Sequence, residues 1–325
     1  MLEKLHRLIR EKKAIFLLMI ILFCLMALSS CHQRSLILRM DNPLSKLDQD
    51  NADLSQDQTP TLAQETKITP EPTSQPATQV IYQDDDENEM ITIKILFDNY
   101  PYQEGLETAW GFSAFITYKD HNVLFDTGAV GQMLLDNMAK MDIKPRDVQN
   151  VVLSHEHNDH TGGLNALLSA GAAPDLYLLP TFSRTFKLKY KNQLDVIEVV
   201  PGQSITERIN STGQIIGSPP EQALVIDTTQ GLIVITGCAH PGVDKMVLEA
   251  KRQYKEDIYM VIGGFHLGSA SSYQVDQIIN ELQRLNVKYI GPCHCTGDQS
   301  IDQIKKAFGE DFIQIGVGKV IEIEL

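Results

Sequence analysis

The sequence predicts an α/β protein in which two packed β-sheets are flanked by helices, carried behind a signal or anchor and a disordered linker. Three observations predict it. Short β-branched and apolar runs alternate with stretches of helical periodicity from Met90 to the end of the chain, about 235 residues, enough for one large layered domain. One local grammar recurs four times: an apolar strand, then small residues, then a histidine. The first of these places is Leu153-Ser154-His155-Glu156-His157-Asn158-Asp159-His160-Thr161-Gly162-Gly163, with three histidines and one aspartate in six positions.

The first 31 residues read as an address. Lys4, Arg7, Arg10, Lys12 and Lys13 precede an uncharged apolar run from Ala14 to Ser30, the n-region and h-region of a secretory signal. The run ends in Leu28-Ser29-Ser30-Cys31, which resembles a bacterial lipobox with Cys31 as the lipidated residue. An uncleaved signal anchor is the alternative; either reading places the body outside the cytoplasmic membrane. Residues 32–89 read as a disordered linker: five prolines, many Asp, Gln, Ser and Thr, and Tyr82 as the sole aromatic. Such a segment buries too little apolar surface to offset its conformational entropy. As a coil it would hold the body roughly 40 Å from the bilayer. The brief apolar Leu36-Ile37-Leu38 has no account.

The body is assigned to residues 90–325. Met90 to Phe97 alternates Ile91, Ile93, Ile95 and Phe97 with Thr92, Lys94 and Leu96, a strand pattern. Trp110 to Ile116 and Asn122 to Phe125 read as strands around a turn at Lys119-Asp120-His121. The second of them runs into Asp126-Thr127-Gly128. Ala129 to Met141 is helical, Val151 to Leu153 leads into the histidine cluster, and Leu164 to Leu168 opens a helix. Asp175 to Leu179 is a strand. Thr181 to Lys191 interleaves four cations with Phe182, Phe186 and Tyr190; it is either a solvated helix with an apolar stripe or a contact for an anionic substrate. Strands and turns follow at Asp195 to Pro201 and Gly213 to Gly217. Strands at Leu232 to Thr236, Tyr259 to Ile262 and Lys288 to Gly291 each run toward a histidine: His240, His266 and His294. Helices fall at Val247 to Tyr254, Val275 to Leu285 and Ile301 to Phe308, and the last strand at Lys319 to Ile323.

Charge narrows the function. The net charge of −14 excludes a nucleic-acid backbone as the main partner, which needs a basic surface. From Met90 onward the chain keeps 28 of the 42 acidic and 19 of the 28 basic residues, so the body is acidic too. Three imidazoles and a carboxylate are a donor set that zinc favours, and a strand-to-helix turn lets them converge. Scattered structural histidines would not repeat the strand–small–histidine grammar, so convergence on one sheet edge is the economical reading.

The pattern His155-x-His157-x-Asp159-His160 resembles the metal signature of the metallo-β-lactamase superfamily. Thr236-Gly237-Cys238-Ala239-His240-Pro241-Gly242, Gly263-Gly264-Phe265-His266-Leu267 and Pro292-Cys293-His294-Cys295-Thr296-Gly297 place the body near the branch of dihydropterin–ribofuranosylaminobenzene phosphate synthase. The resemblance covers nearly the whole body and none of the first 89 residues. It implies an αββα sandwich and a centre of one or two zinc ions, with iron or manganese as other candidates. It also implies that His155, His157 and His240 hold one ion, and Asp159, His160 and His294 the other. Asp126 would orient the imidazoles, with a turn or helix N-cap as the other reading. Where other branches bridge the ions with an aspartate this chain has Cys238, either a thiolate ligand or a small buried neighbour. Asp159 would also orient the nucleophile, and His266 is a substrate or oxyanion contact or a more remote support. The expectation is a membrane-tethered extracytoplasmic hydrolase using a zinc-activated hydroxide on an ester, thioester or phosphoester of small size. A non-catalytic or transferase-type ligand-binding lipoprotein on the same fold is the alternative.

Overall fold

The structure is a computed structural model that describes residues 89–325. The signal with Cys31, the linker up to residue 88 and the Leu36-Ile37-Leu38 run lie outside the described residues. Thirteen strands form two sheets: β1 (Met90–Phe97), β2 (Ser113–Tyr118), β3 (His121–Phe125), β4 (Asn150–Val152), β5 (Asp175–Leu178), β6 (Val196–Glu198), β7 (Ser204–Thr206), β8 (Ile209–Ser211), β9 (Leu224–Thr228), β10 (Gly231–Thr236), β11 (Ile258–Gly264), β12 (Tyr289–Cys293) and β13 (Val320–Glu324). Seven helices accompany them: α1 (Gly131–Lys140), α2 (Asn158–Thr161), α3 (Leu164–Ser169), α4 (Arg184–Tyr190), α5 (Val243–Tyr254), α6 (Ser272–Arg284) and α7 (Asp298–Phe308).

The first sheet has the order β13-β1-β2-β3-β4-β5-β6 and the second β12-β11-β10-β9-β8-β7. β3 to β6 run parallel, as do β10 to β12. In each sheet the parallel strands therefore end on one edge, where crossover chains leave room for a site.

Side-chain alternation explains the layers. In β10, Ile233 and Ile235 join the core shared by the two sheets, while Leu232 and Val234 join a second core with Val243, Met246 and Val247 of α5 and Val275 and Ile279 of α6. A strand buried on both faces is apolar throughout, and every residue of β10 is buried. On the far side α1 packs against β1 and α3, with Leu134, Met138, Leu164 and Leu167 facing inward. The result is the αββα arrangement the sequence predicts.

Several boundaries differ from the expectation. β2 begins at Ser113, because Gly111 holds φ +141 and a Cβ there would lie 2.5 Å from the Asp159 carbonyl oxygen. His121, expected in the turn, is the first residue of β3 and pairs with Tyr118. Helices α5, α6 and α7 start three or four residues earlier than their apolar periodicity shows. The first turns of α6 and α7 are polar, and α6 opens with a capping box of Ser271 and Gln274, whereas α5 opens on buried Val243 and Met246. The segment Gly213 to Gly217 carries one bridge, Ile215 to Glu221, and the strand that follows it is β9, whose short apolar run had no periodicity to announce it.

Candidate metal centre

Five strand ends deliver the histidine cluster and its companions. Four of them turn through a left-handed residue: Asp126 after β3 (φ +57), Ala239 beyond β10 (φ +60), His266 beyond β11 (φ +52) and His294 after β12 (φ +48). Such a corner ends strand pairing and turns the following backbone along the sheet edge. The fifth, β4, passes through Leu153 to His157 into α2, which presents Asp159 and buried His160. Glycine makes the close approach possible: a Cβ at Gly237 would lie 2.2 Å from Ser154 Oγ and 2.8 Å from Asp126 Oδ2.

Two histidine-rich groups of donor atoms result, each with all its atoms within 4.8 Å of one another. The front group is His155, His157 and His240, with His157 exposed and His240 half-buried. His155 Nε2 and His157 Nδ1 face each other at 3.0 Å. The back group is Asp159, His160, Cys238 and His294, all buried but Asp159. His160 Nε2 lies 3.1 Å from Cys238 Sγ and 3.5 Å from Asp159 Oδ2, and His294 Nε2 lies 3.3 Å from that same oxygen. The His155 and His160 rings join the groups, centroids 4.3 Å apart. The sulfur of Cys238 thus stands among the donor atoms of the back group, where the sequence left it open between ligand and packing neighbour.

The other ring nitrogens are held from behind. Asp126 accepts from the Ser154 amide (2.7 Å) and from Ser154 Oγ (2.7 Å), and lies 2.7 Å from His160 Nδ1. This is no helix cap: the N-cap of α1 is Val130. Because Ser154 gives its only hydroxyl proton to Asp126, its oxygen is left to accept from His155 Nδ1 at 2.9 Å. Asn99 Oδ1 meets His294 Nδ1 at 3.0 Å. These partners put the protons of His155, His160 and His294 on Nδ1, leaving each Nε2 lone pair facing the groups. Glu221 accepts from the backbone amides of Cys238 (2.8 Å), Ala239 (2.9 Å) and His240 (2.9 Å) and so fixes the corner after β10.

The electrostatics agree with neutral imidazole donors in front. Burial, helped by neighbouring His160 and His240, holds His155 far below the usual imidazole range, and burial with His266 lowers His240 to about 4. At the back, burial works against the charge on His160, but the Asp126 carboxylate outweighs it and raises that imidazole to about 9, so a cation binding its Nε2 would displace a second proton there. Burial pushes Asp159 up; the His294 imidazole, 3.3 Å away, and the charge of His160 outweigh it and hold the carboxyl well below its ordinary range. Burial raises Glu221 to about 7 despite its three amide donors.

A cation fits this arrangement. The Nε2 atoms of His240 and His294 are buried without a hydrogen-bond partner, an arrangement that is costly unless something electron-poor sits against them. The donor set of imidazole, carboxylate and thiol suits a divalent transition-metal ion.

His266 is exposed at the mouth, its ring 4.2 Å from that of His240, with Cys295 close behind it. Trp110, more than half exposed, lies against His294 at 4.7 Å between ring centroids. Most of the basic aromatic stretch became α4: Phe182, just before it, and Tyr190 are buried in the core with Phe186 packed at an angle between them, and Lys187 pairs with Glu198 at 2.8 Å. Its aromatic stripe is therefore packing rather than a stacking surface. Glu156, between the two front histidines, accepts from the amide and hydroxyl of Ser183, the N-cap of α4. Sequence reading missed Ser154, Asn99 and Glu221. Ser154 adjoins the cluster, but the other two are far from it in sequence.

Residues 111–294 match the Metallo-beta-lactamase superfamily. A 7,8-dihydropterin-6-methyl-4-(beta-D-ribofuranosyl)-aminobenzene-5'-phosphate synthase of Methanocaldococcus jannaschii is 30% identical over 246 residues, covering 62% of this chain and 84% of the relative. A solved metal-dependent hydrolase of the beta-lactamase superfamily is 28% identical with a TM-score of 0.62, covering 72% of this chain and 99% of that one. The metallo-beta-lactamase fold protein YhfI from Bacillus subtilis shares the fold at 16% identity, with a TM-score of 0.57 and coverages of 72% and 99%. This chain belongs to the metallo-beta-lactamase superfamily.

Proposed function

We propose that this superfamily member is a metal-dependent hydrolase of a small ester, thioester or phosphoester, tethered outside the cytoplasmic membrane through lipid on Cys31. The carrying observation is the pair of buried, partnerless Nε2 atoms on His240 and His294, each in a group of convergent donors. His155, His157 and His240 would hold one zinc ion, and Asp159, His160, His294 and Cys238 a second. When bound, such an ion supplies Lewis acidity and lowers the pKa of water from 15.7 toward roughly 7.

The chain's own residues do the rest. Asp159, only partly buried and set between His160 and His294, offers its carboxylate to orient a nucleophilic water. His266 at the mouth is placed to hydrogen-bond the substrate oxygen that gains charge. Asp126 and Ser154 keep His155 and His160 in the tautomer a ligand needs. Among the described residues no helix is long and apolar enough to cross a membrane, so the tether rests on the N-terminal sequence alone.

The test is hydrolysis of a panel of carboxyl esters, thioesters and phosphoesters by the zinc-loaded full chain. Turnover lost in His157→Ala supports the reading; turnover unchanged in that variant overturns it. Release of the protein from membranes by Cys31→Ala checks the tether separately. A second reading, transferase-type chemistry, draws on the synthase named for the archaeal relative. It would be favoured by binding of metal with no hydrolysis of any class.

A further inference from the structure

Three thiols occur among the described residues, and they are not equivalent. Cys293 is fully buried in the core shared by the sheets. Cys295 lies two residues on, past the left-handed corner at His294, and its Sγ points back across to the end of β10, 3.6 Å from the Cys238 carbonyl oxygen. Its place is kept clear by Gly264, where a Cβ would come within 2.8 Å of that sulfur. Cys238, Cys295 and His266 then bring two sulfurs and one imidazole nitrogen within 4.8 Å of one another. This group is distinct from the front and back groups in two of its three members, and it meets the back group only through Cys238.

Two thiols and an imidazole are a donor set for a soft ion. Zinc–sulfur bonds of about 2.3 Å place tetrahedral ligand atoms about 4 Å apart, close to the spacing already present. His266 is exposed, so the third donor stands at an open mouth through which an ion can enter and where water can fill the fourth position. The two sulfurs are buried, which shields them from solvent oxidants while leaving them adjacent to an entry path. We infer that Cys238, His266 and Cys295 form a further, thiolate-rich metal position for a soft divalent ion such as zinc, joined to the histidine-rich centre through the shared sulfur of Cys238. A metal there would add a second thiolate, that of Cys295, to the one Cys238 gives the back group, and the inference does not depend on which bond the protein hydrolyses.

The experiment is a titration of the metal-free full chain with Co2+, following bound equivalents and the thiolate-to-cobalt charge-transfer absorption. Cys295→Ser removes a donor that belongs to neither histidine-rich group. His266→Ala removes an exposed donor and leaves the core packing intact. Each is expected to lose one equivalent of bound Co2+ and part of the absorption, and Cys238→Ser all of it. His157→Ala, which touches the front group alone, is expected to keep the absorption. Wild-type absorption and stoichiometry retained in both Cys295→Ser and His266→Ala would overturn the inference, as would a wild-type chain with no thiolate absorption. Failure of the hydrolase panel would leave these readouts unmoved, so the two readings fail separately.

Discussion

The front and back groups lie against each other yet are built on opposite terms. The front is all imidazole, with His157 in solvent and His240 half-buried. The back is carboxylate, imidazole and thiol, enclosed apart from Asp159. Each buried front donor is kept neutral by desolvation, whereas the back holds charge through Asp126 and Asp159. The difference teaches that exposure and charge vary together here: the closed group is the one supplied with anions to balance an ion, and the open group leaves that balance to water and substrate.

Four substitutions break or sharpen this contrast. Gly237→Ala should erase it, because the new methyl meets Ser154 and Asp126, which serve both groups. Overpacking of this kind costs about 1–3 kcal/mol, so thermal denaturation should shift downward and metal content fall in both groups together. Asp126→Asn should act mainly at the back, where it removes the charge beside His160. Loss of such a support lowers metal affinity about 10–100-fold, read by competition with a chromophoric chelator, with a smaller drop at the front through Ser154. Asn99→Ala should affect His294 alone and cost about tenfold in back-group affinity, the lower end of the same range. An equal loss at both groups in this variant would show that they cannot be separated. Ser183→Ala is the smallest: it removes the N-cap of α4 and a partner of Glu156, and should cost about 1 kcal/mol of stability with no change in metal content.

The fold was legible where the pattern was local. β1, β10 and β11 announced themselves by β-branched runs, and the four histidine places by their small neighbours. What stayed hidden was the set of contacts that only tertiary structure makes. Glu221 is a buried acid behind two prolines, and nothing in its own segment says that three amides from the end of β10 will close on it. Asn99 sits 195 residues from the histidine it orients. Asp126 could be read as a turn residue, and its true partners come from the β4 end and α2. The aromatic residues around α4 carried opposite signals, charge and stacking on one reading and burial on the other, and packing decided between them.

The left-handed corners at Asp126, Ala239, His266 and His294 carry a cost that is met when the chain folds. A non-glycine residue in that conformation costs roughly 1–2 kcal/mol, so each corner persists only because the sheets on either side hold it there. The donors are consequently gathered before any ion arrives. Small metal domains that fold only on loading must assemble their ligands out of disorder, and their metal affinity is entangled with their folding. Here the two sheets make that arrangement in advance. Loading should resemble the docking of a guest into a finished receptor, with circular dichroism in the far ultraviolet nearly the same before and after.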